Sequence, residues 1–150
     1  KGRLAPAKYS ELVASPDHMP TLLGLLDIPV PDTCQGFNHA PGILGQESNA
    51  PKDAFLCSYP GMPEMVAAFE KQGLNSKCYG WRGIRTHTHT FVINNGYKPG
   101  EKQVKMLYNN EKDPYQQNPL MITELNEELA ADYEKRLREY LDMQQDPFLM

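Results

Sequence analysis

Two histidines one residue apart, His87 and His89, have the type and spacing that suit a metal ion. Residues two apart on a strand point to one face, so both imidazoles could reach a single ion. A metal site needs a third ligand, and the sequence supplies no obvious carboxylate or cysteine partner. The alternative is a pair of half-exposed strand residues, since histidine is often only partly buried. We adopt that alternative and predict no metal site in this chain.

Trp81 and Arg82 suit a different chemistry, the recognition of anions and sugars. An arginine pairs bidentately with sulfate or carboxylate, and a tryptophan stacks on a ring. Both residue types also serve the fold, through stacking and a salt bridge, where a sheet packs under a helix. We predict substrate contact at Arg82 and Trp81, give Arg85 less weight, and keep the structural alternative open.

Composition limits what surrounds these residues. The chain has 150 residues, of which 40% are hydrophobic and 23% charged, so it can bury a real core as an ordinary globular domain. The net charge of −4 argues against a nucleic-acid partner, which needs a basic face. No apolar run approaches the roughly 20 residues of a membrane span. Lys1-Gly2-Arg3 leads into no signal-peptide core.

Hydrophobic spacing predicts one helix in the first third of the chain. It begins near Asp17, which places Pro20 in the first turn, where proline is tolerated. Its leucines are so dense that we expect burial on most sides. Residues 27–52 contain four prolines and three glycines and predict a loop with one helical turn.

The rest of the chain alternates strands with turns and ends in a helix. We predict strands at residues 53–58, 78–86, 88–93 and 104–108, a short helix at 65–71, and a turn at Asn94-Asn95-Gly96. A long helix starts at about Thr123, with one apolar face formed by Leu125, Leu129, Tyr133, Leu137, Tyr140 and Leu141. The fold class is therefore α+β: an antiparallel sheet of about four strands packed on a long C-terminal helix through Leu129, Tyr133 and Leu137.

Three segments carry a resemblance to one family. Residues 107–120 resemble the L-Y-(D/N)-x-x-x-D-P-x-(E/Q)-x-x-N-L segment near the carboxyl end of type I sulfatases, of the alkaline-phosphatase-like superfamily. Residues 15–31 are similar to the family's D-(L/I)-x-P-T-L-L-x-L-x-G-(I/V)-P-x-P stretch, and residues 81–86 to its W-R-x-(I/V)-R-T strand. All three occur in the family's order. The departures are His18, Asp27, His87-Thr88-His89 and Pro119.

The resemblance implies a domain organisation. Residues 1–52 would be the end of the large sulfatase domain with its connecting loop, and residues 53–150 the C-terminal subdomain. The leucine-rich helix would then belong to the missing large domain, so we expect an exposed apolar patch and self-association of this chain. Loops of the subdomain can form a rim of the family's cleft, which adds Tyr59 to the predicted substrate contacts. His18, near the predicted start of the first helix, could also line the cleft, and its alternative is a capping or packing role.

The family's chemistry uses a formylglycine, made from Cys or Ser in a C-x-(P/A)-x-R motif, and a divalent cation, usually calcium. Cys34 and Cys57 do not fit this motif; Cys78 has Arg82 at the fourth following position, but Gly80 replaces the proline or alanine. We therefore predict no catalytic residue and no cofactor in this chain, with calcium and formylglycine implied for the full-length enzyme. The odd cysteine count also rules out a fully paired disulfide framework within the chain.

The resemblance implies a sulfuric ester hydrolase acting on sulfated carbohydrates. This chain would complete its fold and one wall of its cleft beside an upstream catalytic domain, and would be inactive alone. The family implies a periplasmic, secreted or lysosomal location. One alternative is a non-catalytic glycan-binding or interaction module that uses Trp81 and Arg82. Another is phosphoester chemistry on the same scaffold, which residues 113–120 fit less well.

Overall fold

The computed structural model describes residues 4–149. The chain forms two compact units, one that runs to Ala54 and one that begins at Phe55. Each unit has its own helices and its own buried residues. The prediction that residues 1–52 are the end of a larger domain is about the full-length protein. The division into two units does not test it, so it stays a prediction.

The first unit is mostly loop. It contains a 3₁₀ turn at Ser15–Asp17 and two short helices, α1 (His18–Leu25) and α2 (Ala40–Ile43), so the predicted loop with one helical turn is confirmed. Asp17 stands at the N-cap of α1, but its side chain makes no cap hydrogen bond. Its carboxylate instead accepts hydrogen bonds from the backbone N–H groups of Ala14 and Phe37, both at 2.7 Å.

Helix α1 is not buried on most sides, and that prediction is wrong for this chain. Within α1 only Pro20 and Thr21 are buried. Met19, Leu22 and Leu26 are 60%, 58% and 66% exposed. Their spacing of three and four residues places them on one side of the helix, and we call them the α1 patch. Dense leucines did not produce burial because the residues of this unit supply nothing to cover that side.

The second unit holds a four-stranded antiparallel sheet and the long helix, so the predicted α+β fold is confirmed. The strand order is β1-β2-β3-β4, the order of the sequence. The elements are β1 (Ala54–Ser58), α3 (Pro63–Glu70), β2 (Gly80–Arg85), β3 (His89–Gly96), β4 (Val104–Asn109) and α4 (Glu127–Met143). Single 3₁₀ turns lie at Ser76–Cys78 and Pro147–Leu149.

Helix α4 covers one face of the sheet, called here the inner face. Alternate strand residues point toward it, and the fully buried ones are Ile84, Phe91, Ile93 and Leu107. Tyr133 and Leu137 of α4 join them in one core cluster, and Leu129 packs at its edge. The predicted packing through these three helix residues is therefore confirmed, because a spacing of four stacks them on one helical face.

The turn predicted at Asn94-Asn95-Gly96 is wrong. Strand β3 continues through these residues to Gly96, which pairs with Gly80 of β2. The side-chain oxygen of Asn94 accepts a hydrogen bond from the N–H of Gly96 at 2.8 Å, and Gly96 adopts a positive φ of 76°. An Asn-Gly pair favours this conformation, but here it shapes a strand end instead of reversing the chain.

The predicted start of the long helix is also too early. Helix α4 begins at Glu127, because Asn126 holds the preceding residues in a turn. The side chain of Asn126 accepts from the N–H of Thr123 and donates to the carbonyl of Met121, both at 2.9 Å. Leu125 therefore lies outside the helix and is 99% exposed, rather than on the apolar face.

Candidate functional site

Arg82 of β2 lies on the inner face and uses every donor it has. The residue is 2% exposed. Its Nε and one terminal nitrogen donate to the carboxylate of Asp146 at 2.8 and 3.2 Å. The remaining three N–H groups donate to the carbonyl oxygens of Ser58, Lys77 and Trp81. A guanidinium has five N–H groups, so none is left for an external anion.

Two aromatic rings complete the surroundings of Arg82. The Cζ atom lies 4.7 Å from the ring centroid of Phe148 and 5.8 Å from that of Tyr59. Both distances suit cation–π attraction. Arg82 thus joins the end of β1, strand β2 and the turn after α4, which is the structural alternative for this residue. Substrate contact by Arg82 stays a prediction that these contacts do not support.

Trp81 lies on the other face of the sheet from Arg82, because neighbouring strand residues point to opposite sides. Its indole ring is partly exposed and lines a shallow groove. The two predicted contacts therefore lie on opposite faces of the sheet, where a single sugar ring cannot touch both. Substrate contact by Trp81 stays a prediction.

The two other predicted contacts are accessible. Tyr59, which directly follows β1, is 44% exposed, and its ring lies beside Arg82. His18 belongs to the first unit, where it is exposed and its Nδ1 lies 3.0 Å from the carbonyl oxygen of Ser15. This contact fits the capping role offered as the alternative for His18. Substrate contact by either residue remains a prediction.

The histidine pair does not form a strand pair. His87 lies in the exposed link before β3, and only His89 belongs to the strand. The Nδ1 of His89 lies 3.0 Å from the hydroxyl of Thr88, and its ring packs 6.2 Å from the ring of Tyr133. Over residues 4–149, no group of three or more His, Cys, Asp or Glu side chains could hold a metal ion.

The cysteines are all free thiols. Cys78 is partly buried and its Sγ lies 3.3 Å from the carbonyl oxygen of Pro147, to which the thiol donates. That contact is typical of a small packed side chain. Cys57, in β1, is exposed, and Cys34 is partly buried in the first unit.

A buried polar network in the first unit was missed at the sequence level. His39 is fully buried, with Nε2 3.3 Å from the carboxylate of Asp17 and Nδ1 3.1 Å from the hydroxyl of Tyr9. Its backbone N–H donates to the hydroxyl of Thr21 at 3.0 Å. The network joins the start of α1 to the residues before α2. The only sequence signal was a histidine within an apolar, proline-rich loop, and such a signal names no partner.

A second missed network lies on the outer face, the side of the sheet that faces away from α4. The amide of Gln116 donates to the hydroxyl of Thr90 at 2.6 Å and to the side-chain oxygen of Asn110 at 3.0 Å. Thr90 in turn donates to Asn110 at 2.9 Å. The loop after β4 is thereby fastened across the outer face, which places Gln116 beside the groove that Trp81 lines.

The charged side chains at the margin of the inner face, Glu134, Lys105 and Arg138, pair with one another. Partial burial raises the pKa of Glu134, but hydrogen bonds and charges from Lys105 and Arg138 outweigh it, so the pKa lies below its ordinary value. The Lys105 and Arg138 contacts measure 2.6 and 2.7 Å. Within residues 4–149, no helix is long and apolar enough to cross a membrane.

The fold agrees with one class of known proteins. No family model matches the chain. An endo-4-O-sulfatase of Bacteroides thetaiotaomicron is 27% identical over 150 residues, covering 98% of this chain and 29% of that protein. An ulvan-active sulfatase of Formosa agariphila is 29% identical over 141 residues, covering 87% of this chain and 23% of the relative. A solved structure of a B. thetaiotaomicron 4-sulfatase has 27% identity and a TM-score of 0.75, covering 98% of this chain and 30% of that one.

In sequence and in fold the chain is therefore similar to the C-terminal region of sulfatases with the alkaline-phosphatase-like fold. It spans less than a third of the length of the relatives it matches. The resemblance drawn from residues 15–31, 81–86 and 107–120 is thereby confirmed.

Proposed function

We propose that the protein containing this chain hydrolyses sulfate esters of carbohydrates, and that this chain completes its fold. The observation that carries the proposal is 27% identity to an endo-4-O-sulfatase along 98% of the chain. The second relative is named as a sulfatase active on ulvan. The first name specifies endo action on a 4-O-sulfate, and the second names the polysaccharide ulvan. We therefore propose a sulfated polysaccharide, or oligosaccharides derived from one, as the substrate class.

The catalytic groups of this proposal belong to the part of the protein outside the present chain. None of the three cysteines has the C-x-(P/A)-x-R sequence that yields formylglycine. Over residues 4–149 no cluster of acidic side chains, histidines or cysteines fits a divalent cation. We therefore assign formylglycine and calcium to the upstream domain and route no chemical step through residues of this chain.

The upstream domain is also the partner we propose for the α1 patch. Three large apolar side chains on one side of a helix, each more than half exposed, form a surface that a neighbouring domain can bury. Covering them removes apolar area from water, which stabilises the contact by about 25 cal/mol per Å² buried. We further propose that the whole protein works in the periplasm or outside the cell, where polysaccharide substrates are found.

The experiment that tests the proposal compares two proteins. The full-length gene product, expressed with formylglycine-generating activity, should release sulfate from chondroitin 4-sulfate or ulvan oligosaccharides. The 150-residue chain alone should release none, because transition-state stabilisation of a sulfate ester depends on groups that it lacks. The control is the full-length product with its formylglycine precursor changed to Ala. An upstream sequence without a sulfatase domain would favour the non-catalytic glycan-binding alternative.

Phosphoester hydrolysis is a competing outcome of the same assay. The full-length product would then release phosphate from a phosphodiester more rapidly than sulfate from any sulfated saccharide. Both relatives with curated names are sulfatases, which favours sulfate release.

A further inference from the structure

The outer face of the sheet carries a groove that the proposed function does not use. Three cross-strand rows cross this face of β2, β3 and β4. The rows are Trp81–Asn94–Val104, Gly83–Val92–Met106 and Arg85–Thr90–Tyr108. Residues opposite one another in such rows are close enough to act on one ligand.

The groove has a volume of about 270 Å³ and lies between two aromatic side chains. Trp81 lines one end and Tyr108 the other, and both are partly exposed. Val92 and Met106 lie in the row between them. That row starts at Gly83, where an added Cβ would stand 2.8 Å from the carbonyl oxygen of Phe91, so the centre of the face stays low. The shape is a shallow apolar floor with an aromatic ring at each end.

The polar groups around this floor are mostly unused donors. Among the described residues, the indole N–H of Trp81, the side-chain NH₂ of Asn94 and the guanidinium of Arg85 have no hydrogen-bond partner or ion pair. Gln116 is held in place through its NH₂, which leaves its side-chain oxygen as an acceptor. None of the described residues that line the groove is acidic.

Arg85 is the informative member of this set. It lies on the same strand as Arg82, three residues on, and therefore on the opposite face. Arg82 donates all five N–H groups internally, while the Arg85 guanidinium donates none to any residue from 4 to 149. Arg85 does not line the groove itself, but it lies in the same row as Thr90 and Tyr108, which do. An arginine without an internal partner at the margin of an aromatic apolar floor is complementary to an anion carried on an apolar body.

We propose that the outer face binds a sulfated saccharide, with sugar rings against Trp81 and Tyr108 and a sulfate group at Arg85. A pyranose has apolar C–H faces for the rings and oxygen acceptors for the indole N–H and the amide of Asn94. A sulfate ester supplies the negatively charged partner that Arg85 lacks among the described residues. The inference rests on the proposed function and deepens it: the face would hold a part of a polymeric substrate beyond the sugar that reacts.

The sole tryptophan makes the test direct, because Trp81 is the only one in the chain. Its emission is followed while a chondroitin 4-sulfate hexasaccharide, or its chemically desulfated counterpart, is added to the 150-residue chain. We expect a saturable change with the sulfated sugar and binding at least tenfold weaker without sulfate. A charge-assisted hydrogen bond lost from Arg85→Gln should weaken binding of the sulfated sugar by about tenfold to a hundredfold.

Matched variants separate a site from general charge attraction. Arg138→Gln, on the half-exposed surface of α4, removes the same charge and should leave affinity unchanged. Trp81→Leu should weaken the binding of both the sulfated and the desulfated sugar, as measured by calorimetry. Binding that is absent at millimolar sugar, or that Arg138→Gln weakens as much as Arg85→Gln, would overturn the proposal. Thermal unfolding of each variant verifies that it is folded.

The full-length product distinguishes this inference from the proposed function. If the product releases sulfate but Arg85→Gln leaves KM for the polymer unchanged, the saccharide site is wrong and the sulfatase assignment stands. If the chain binds the sulfated sugar but the product releases no sulfate, the reverse holds. A separately expressed catalytic domain that displaces the sugar from Trp81 would identify the outer face as a domain interface and overturn the proposal.

Discussion

The two faces of one sheet differ in how they treat the same residue type. On the inner face Arg82 is buried. Its N–H groups donate to a carboxylate and to carbonyl oxygens, and its guanidinium packs against aromatic rings. On the outer face Arg85, three residues later, is partly exposed and has no partner among the described residues. The sequence Trp-Arg-Gly-Ile-Arg contains both and does not mark which arginine is free.

The difference shows what strand periodicity decides. Trp81, Gly83 and Arg85 share one face, and Arg82 and Ile84 the other. A group available to a ligand must be on a face that no helix covers, and a group on the covered face must satisfy itself internally or lose stability. The choice between a binding and a structural role for an arginine therefore follows from strand parity together with the position of α4.

We expect the loss of Arg82 to have the largest effect on the free energy of unfolding. Replacing it with Leu leaves the partly buried carboxylate of Asp146 and three carbonyl oxygens without their donor. Breaking such a pair by removing one partner costs about 3–5 kcal/mol. Urea unfolding at pH 7 should show that loss in the free energy of unfolding.

Arg85→Leu is the matched control on the other face. Among the described residues it has no hydrogen bond or ion pair to lose, so it should change the free energy of unfolding by less than about 0.5 kcal/mol. Equal losses in the two variants would break the comparison between the faces, because Arg85 would then have an internal role that its contacts do not show.

Much of this arrangement could be predicted from the sequence, for reasons visible in particular residues. Period-two alternation identified the strands, and the spacing of Tyr133 and Leu137 identified the buried side of the long helix. The errors came from side chains that act over short distances. Asn94 shapes a strand end in place of a turn, and Asn126 delays the helix.

The networks could not be predicted because their members are far apart in sequence. His39 meets Asp17 across 22 positions and Tyr9 across 30. Arg82 meets Asp146 across 64 positions. Local pattern carries no information on such pairs, so the sequence alone left Arg82 between a structural and a binding role.

The α1 patch extends the comparison to a helix whose apolar side is uncovered. We expect the 150-residue chain to self-associate through Met19, Leu22 and Leu26. Leu22→Glu places a charge in that contact and should raise the dissociation constant by about tenfold or more. Sedimentation velocity across a concentration series measures it.

Leu125→Glu is the control for the patch, since Leu125 is 99% exposed and lies outside α4. It makes the same substitution at an exposed leucine outside the α1 patch and should leave association unchanged. A wild-type chain that stays monomeric at millimolar concentration would contradict the prediction.

The smallest expected effect concerns Glu134, where the inner face meets solvent. Its pKa lies below the ordinary value of a glutamate, since Lys105 and Arg138 outweigh the effect of partial burial. A carboxyl group whose pKa is depressed in the folded state adds stability above its unfolded pKa, and that stability is lost as pH falls through the folded pKa. Lys105 and Arg138 are 39% and 50% exposed, so solvent screening holds the contribution below about 1 kcal/mol.

The pH dependence separates this pair from the buried arginine. Urea midpoints of the wild type and Glu134→Gln should differ at pH 7, converge as the pH falls below the folded pKa of Glu134, and converge also in high salt. The Arg82 contribution should survive the salt, because its partners are shielded from solvent. If the Glu134 difference persisted unchanged in both acid and salt, the carboxylate would act through packing rather than charge. Side-chain packing, rather than charge, would then stabilise the exposed end of the inner face as it does the buried centre.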